Sequence, residues 1–139
     1  MRKSEIIVII DDAKMLVEDT LFLQEEGILQ HTIIAAAFYT LDEITKALES
    51  DTFVGIDGTI YTWAAITMAL VDQNLHSAND KSGEKVVAAL KAANPNIITI
   101  GISHDENQPQ AADVYLGKNA TLAQPFNLEE TLYAVRQQF

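Results

Sequence analysis

Two aspartates in tandem, Asp11-Asp12, close the apolar run Ile6-Ile7-Val8-Ile9-Ile10, and a third, Asp72, closes Ile66-Thr67-Met68-Ala69-Leu70-Val71 with Asn74 two residues beyond it. Ser103 and His104 close Ile97-Ile98-Thr99-Ile100-Gly101-Ile102, and Gln124-Pro125 closes the shorter Thr121-Leu122-Ala123. If these runs are parallel strands of one sheet, every one of these polar residues falls at a strand's carboxyl end, where open α/β sheets form their ligand crevice. Three carboxylates from two strand ends would repel one another without a cation. A hard divalent ion such as magnesium takes oxygen ligands of this kind and keeps waters for the rest. The implied chemistry is a carboxylate-held magnesium site with a hydroxyl and an amide close by. Asp-Asp after a strand is also ordinary turn or helix-cap chemistry, and Asp72 alone is no more specific. The signal lies in their joint occurrence at successive strand ends.

The elements that must position these residues are legible from periodicity. The runs at 6–10, 32–37, 66–71 and 97–102 lack the in-out alternation of half-exposed strands and read as strands buried on both faces. Between them, Lys14 to Glu26 carries helical spacing and stops at Gly27, and Thr40-Leu41-Asp42-Glu43 has the capping-box spacing of a helix running to about Glu49. A third helix follows Ser82 and stops before Asn94-Pro95, a fourth spans Gln108 to Leu116, and the last begins after Pro125-Phe126. Thr121-Leu122-Ala123 supplies the fifth strand. Strands alternating with helices predict right-handed crossovers and a mostly parallel sheet covered on both faces, an α/β fold. Residues 51–63 break this rhythm. There Asp57-Gly58 separates two β-prone runs, the signature of a β-hairpin insertion, with Trp63 as a packing residue. Asp57 could itself end a strand, but that reading would strand the apolar run 64–71 in a loop.

The chain has 139 residues, 48% of them hydrophobic and 21% charged, which is the balance of one globular domain over 1–139. No apolar run approaches the roughly 20 residues of a membrane helix, and Met1-Arg2-Lys3-Ser4-Glu5 leads to no cleavage site, so the expected location is cytoplasmic. The absence of cysteine excludes disulfides, thiolate metal sites and a cysteine nucleophile. A net charge of −11 argues against nucleic acid or anionic membrane as partners and for a cation or a basic protein. His31, His76 and Lys118 read as solvated residues without a role.

These residues resemble the receiver domains of two-component response regulators, of the chemotaxis-type single-domain kind. In that family an acidic pair follows the first strand, as Asp11-Asp12 does, and a phosphoaccepting aspartate ends the third, as Asp72 does in Ala-Leu-Val-Asp-Gln-Asn-Leu. A small hydroxyl residue ends the fourth strand, matched by Ser103, and a lysine precedes a proline and an aromatic after the fifth, where Leu-Ala-Gln-Pro-Phe puts Gln124 in place of the lysine. Thr121 falls at the family's aromatic switch position, and Leu75 to Gly83 is longer than the family's Met-Pro-x-Met-Asp-Gly loop and lacks its proline.

The resemblance implies a flavodoxin-like three-layer sandwich with a five-stranded parallel sheet in the order 2-1-3-4-5, the hairpin at 51–63 being an insertion. It also implies phosphorelay signalling: Asp72 accepts a phosphoryl group from a histidine kinase or phosphotransfer protein, with Mg2+ held by Asp11, Asp12, Asp72 and the backbone carbonyl of Asn74. Ser103 would bond a phosphoryl oxygen and shift the last helix and strand toward a downstream protein target, a homodimer being compatible with this. Such a domain is no enzyme beyond its own phosphorylation and dephosphorylation. Glutamine at position 124 would forgo a charge-assisted hydrogen bond worth about 1.5–3 kcal/mol. The alternative implied is a pseudo-receiver that acts as a phosphorylation-independent interaction module.

Overall fold

Apolar runs with no polar face can be satisfied only by cover on both sides, and the structure provides it. The computed structural model describes residues 3–75, 81–103 and 111–139. In chain order its elements are β1 (Glu5–Ile10), α1 (Lys14–Glu25), β2 (Thr32–Phe38), α2 (Leu41–Ala47), β3 (Thr52–Val54), β4 (Ile60–Thr62), β5 (Met68–Val71), α3 (Ser82–Ala93), β6 (Ile98–Gly101), β7 (Val114–Tyr115) and α4 (Leu128–Arg136). Short 3-10 turns occupy Trp63–Ala65, Lys118–Ala120 and Pro125–Asn127.

Five strands form one parallel sheet in the order β2-β1-β5-β6-β7, while β3 and β4 pair antiparallel as a separate hairpin. With the hairpin set aside, the order is the expected 2-1-3-4-5. Successive strand residues point to opposite faces. Val8, Ile10, Ala69 and Val71 therefore pack with Ile44 of α2 and Val86, Val87 and Leu90 of α3. Ile7, Ile9, Met68, Leu70, Ile98 and Ile100 pack on the other face with Val17 of α1 and Leu128, Leu132 and Val135 of α4. These are the three layers of a flavodoxin-like sandwich.

Local chemistry sets the helix ends where the sequence marked them. Gly27 adopts φ +73°, and the backbone N–H of Ile28 donates to Leu23 O, terminating α1 in a left-handed turn. Thr40 Oγ1 accepts from Glu43 N at 3.1 Å and Glu43 Oε1 accepts from Tyr39 N at 2.8 Å, which fixes the start of α2. The chain departs from expectation after β6. Within the expected helix 108–116, residues 108–110 lie outside the described set, and Val114–Tyr115 is the fifth strand of the sheet rather than helix. Thr121-Leu122-Ala123 is turn, not strand. The short run Val114-Tyr115-Leu116 wins the sheet edge because Asp113 binds it there: Asp113 Oδ2 accepts from Thr99 N and Oγ1 and pairs with Lys91 Nζ at 2.6 Å.

The hairpin covers the opposite edge. Edge strands with unpaired backbone groups invite aggregation. The outer edge of β2 is met by Ile56 N, which donates to Ala35 O, and by the Gln24 amide, which donates to Ile34 O and accepts from Ile34 N. The Phe53 ring lies 4.5 Å from that of Trp63 in a tilted contact, the Trp63 indole N–H donates to Ala47 O, and Asn94 Nδ2 donates to the carbonyls of Trp63 and Ile66. Gly55 makes this docking possible, because a Cβ there would lie 2.5 Å from the Tyr61 ring and 2.7 Å from Ala35 O. Gly55→Ala is accordingly expected to lower stability by about 1–3 kcal/mol, as a shift of the urea midpoint without a change in slope.

Candidate functional site

Five side chains from four strand ends meet at the carboxyl edge of the sheet. Asp11 and Asp12 follow β1, Asp72 follows β5, Ser103 lies beyond β6, and Lys118 stands in the turn after β7. One oxygen from each of Asp11, Asp12 and Asp72 lies within 4.8 Å of the others. The sequence-predicted acidic cluster is thus brought together. Asp11 is fully buried and held by Ala13 N, which donates to its Oδ1 at 2.8 Å. Asp12 is exposed. Gln73 N donates to Ser103 Oγ at 3.4 Å, a long bond that ties the loop after β5 to the end of β6. Asn74 Oδ1 accepts from Lys81 N at 3.0 Å.

The cation of the site is Lys118, the residue that sequence reasoning left in solvent. It is only 4% exposed, and its Nζ lies 3.1 Å from Asp11 Oδ1 and 3.4 Å from Asp72 Oδ2. Gln124, expected at the lysine's position, is exposed, and its Oε1 accepts from Asn127 Nδ2 at 3.0 Å. The reason is the altered fifth strand. With the strand at Val114–Tyr115, the residue that emerges beside the aspartates is Lys118, six positions before Gln124. Thr121 leaves the last strand for the same reason, and the aromatic on that strand is the partly exposed Tyr115. The missed signal was Val114-Tyr115-Leu116-Gly117-Lys118, an apolar run followed at once by a polar residue, as at the other strand ends. His104 lies outside the described residues.

A close backbone contact brings α3 to the site. A Cβ on Gly83 would lie 2.3 Å from Asp72 O and 2.7 Å from Gln73 Cα, so only glycine lets the first turn of α3 sit against this loop. Gly83 N donates to Gln73 O, and Ser82 Oγ accepts from Leu75 N, completing the junction.

Burial dominates the electrostatics. Desolvation first, then the Asp11 charge, pushes the Asp72 carboxyl up to about 6, against an opposing pull from Lys118. Asp11 is also raised by burial, opposed by its bond from Ala13 and by Lys118. Burial draws the Lys118 ammonium down, but Asp11 and Asp72 more than offset this and leave it raised. Among the described residues, three carboxylates against one ammonium leave two negative charges uncompensated, the charge of one divalent cation. Asp11 Oδ2 is buried and has no hydrogen-bond partner among the described residues. Such an orphaned oxygen beside two further carboxylates is a donor set that fits magnesium.

Because Asp72 is raised from 3.8 to about 6, the folded protein holds a proton there that the unfolded chain has released. Its contribution to stability is full below the lower value and is lost as pH rises through the upper one. In the absence of divalent cation, Asp72→Asn is expected to be more stable than the parent above pH ~7, by about 1–3 kcal/mol, with the difference vanishing toward pH ~4. Urea unfolding across that range measures it. Lys118→Met should raise the Asp72 midpoint further, as read by carboxyl-carbon NMR titration.

No protein-family model and no curated protein sequence matches this chain. Solved structures do. A CheY-like response regulator receiver domain protein from Methanospirillum hungatei JF-1 is 18% identical with a TM-score of 0.62, over 99% of this chain and 100% of that one. The non-phosphorylated receiver domain of the stress response regulator RcsB from Escherichia coli is 12% identical with a TM-score of 0.66, over 98% and 95%. A response regulator from Burkholderia pseudomallei, solved with a phosphorylated aspartic acid, calcium ion and citrate, is 18% identical with a TM-score of 0.54, over 97% and 75%. With its sheet order, its layers and its near-complete overlap with these structures, the chain has the fold of response-regulator receiver domains.

Proposed function

We propose that this chain is a phosphoacceptor in two-component signalling, taking a phosphoryl group on Asp72. The observation that carries this reading is Asp72 set between an acidic pair and a buried lysine at the sheet's carboxyl edge. A partner phosphohistidine, in a kinase or phosphotransfer protein, is the donor that this chemistry suits. An Asp72 carboxylate oxygen attacks phosphorus, the P–N bond breaks, an acyl phosphate forms, and the donor ring, already protonated on its other nitrogen, leaves as neutral imidazole with the electron pair of the broken bond. Magnesium, when bound, neutralises the phosphoryl oxygens; Asp11, Asp12, Asp72 and the backbone carbonyl of Asn74 would hold it.

The chain's own residues do the rest. Asp11 keeps Lys118 at the pocket, and the Lys118 ammonium can move from Asp72 Oδ2 to a phosphoryl oxygen, so the charge-assisted bond that glutamine would have forgone is retained. The Ser103 hydroxyl stands at the β6 end to bond a second oxygen, releasing Gln73 N and shifting the two loops. That shift is the signal, read by a downstream protein at the β7 and α4 side. The buried lysine favours this reading over a pseudo-receiver. On this reading the chain's own chemistry is self-phosphorylation and hydrolysis of the acyl phosphate. The acidic charge favours basic protein partners over nucleic acid or membrane, and a cytoplasmic setting suits a kinase partner. No described helix is long and apolar enough to cross a membrane.

The test is incubation with acetyl phosphate and Mg2+, followed by peptide mass spectrometry. The expected result is a hydroxylamine-labile phosphoryl adduct on Asp72, absent in Asp72→Asn and in EDTA, and at least roughly tenfold slower to form in Lys118→Met. Beryllofluoride with Mg2+ should shift the NMR signals of Ser103 and Tyr115. An unlabelled Asp72 with unshifted spectra would leave the interaction-module reading in its place.

A further inference from the structure

The hairpin carries a feature that its packing role does not use. Its inner residues Phe53, Tyr61 and Trp63 serve the aromatic cluster, but the outward cross-strand pair Val54 and Ile60 is 68% and 69% exposed, with Ile56 half exposed beside it. The next outward pair, Thr52 and Thr62, shows what a merely solvated face would carry. Residues two apart on a strand share a face, so Ile60 and Thr62 point the same way. Thr62 in turn lines a groove of about 600 Å³ with Asp51, Trp63, Ala89 and Ala92, between the hairpin base and α3. The outward hairpin face therefore runs into the groove, with exposed Asp51 in its wall and exposed Asp57 at the hairpin tip.

We propose that this face and groove dock an apolar segment of another protein flanked by lysines or arginines. Contiguous exposed aliphatic side chains rimmed by polar residues mark interaction surfaces, and the small side chains of Ala89 and Ala92 let a partner's backbone come close. Charge selects the occupant. A second copy would bring another −11 toward Asp51 and Asp57, whereas a basic flank meets both carboxylates and the field of the whole chain. The surface lies outside the Asp72 pocket, so docking needs no phosphoryl group.

The chain has one tryptophan, Trp63, and it lines the groove, so intrinsic fluorescence reports occupancy. The experiment titrates the full chain with a short amphipathic Leu/Lys peptide and with a Leu/Glu peptide of the same pattern. A saturable Trp63 response is expected with the Leu/Lys peptide alone. It should weaken roughly tenfold in Val54→Ser/Ile60→Ser and in Ala92→Arg, and weaken also in Asp51→Lys, while Asp72→Asn binds as the parent does. Urea midpoints and Asp72 labelling of the surface variants should match the parent. Equal binding of the Leu/Glu peptide, unweakened binding by the surface variants, or no saturable response overturns the proposal. So does a concentration-dependent dimer in sedimentation that Val54→Ser/Ile60→Ser abolishes, since the face would then belong to a second copy.

Discussion

The ammonium of Lys118, sunk between Asp11 and Asp72, is the interaction on which the carboxyl edge of this sheet depends. Taking ions out of water is costly, and a buried charge persists only when partners face it. Here the partners come from the ends of β1 and β5, while the lysine follows β7. Three strand ends are tied together by one charge. The tie is incomplete, because the carboxylates outnumber the ammonium and one Asp11 oxygen has no hydrogen-bond partner among the described residues. Such a site is stable enough to form and electrostatically poised to take up positive charge.

What holds this unfavourable edge in place is the pair of apolar layers beneath it. Val8, Ile10, Ala69 and Val71 on one face and Ile7, Ile9, Met68 and Leu70 on the other leave β1 and β5 no freedom to slip, since a one-residue shift would exchange their faces. The aspartates are simply the next residues out of those strands. Gly83 acts in the same direction, letting α3 press on the loop that carries Asp72.

The hairpin solves a separate problem and leaves a surplus. It covers the bulged outer edge of β2 through Ile56 and Ala35, and its aromatic side chains extend the core around Phe38. Edge protection needs only the inner face. The aliphatic outer face is an addition that folding does not explain, which is why it carries the proposed docking role.

Most of the fold was determined by the sequence itself. The four long apolar runs, the Gly27 terminator, the Thr40-Glu43 cap and the Asp57-Gly58 turn each depend on local periodicity and backbone preference, and the structure realises all of them. The acidic cluster was legible for the same reason, since Asp11, Asp12 and Asp72 directly continue long apolar strands. Lys118 was not. Its strand is two residues long, and a competing run at Thr121-Leu122-Ala123 lay ahead of a Pro-aromatic pair. Local preference cannot decide between two short runs when their difference is made by distant partners: Asp113 bonding to Thr99 at the sheet edge, and two buried carboxylates that only a nearby cation can satisfy. Those contacts exist only once the chain has folded, so the tertiary structure alone decided which residue completes the site.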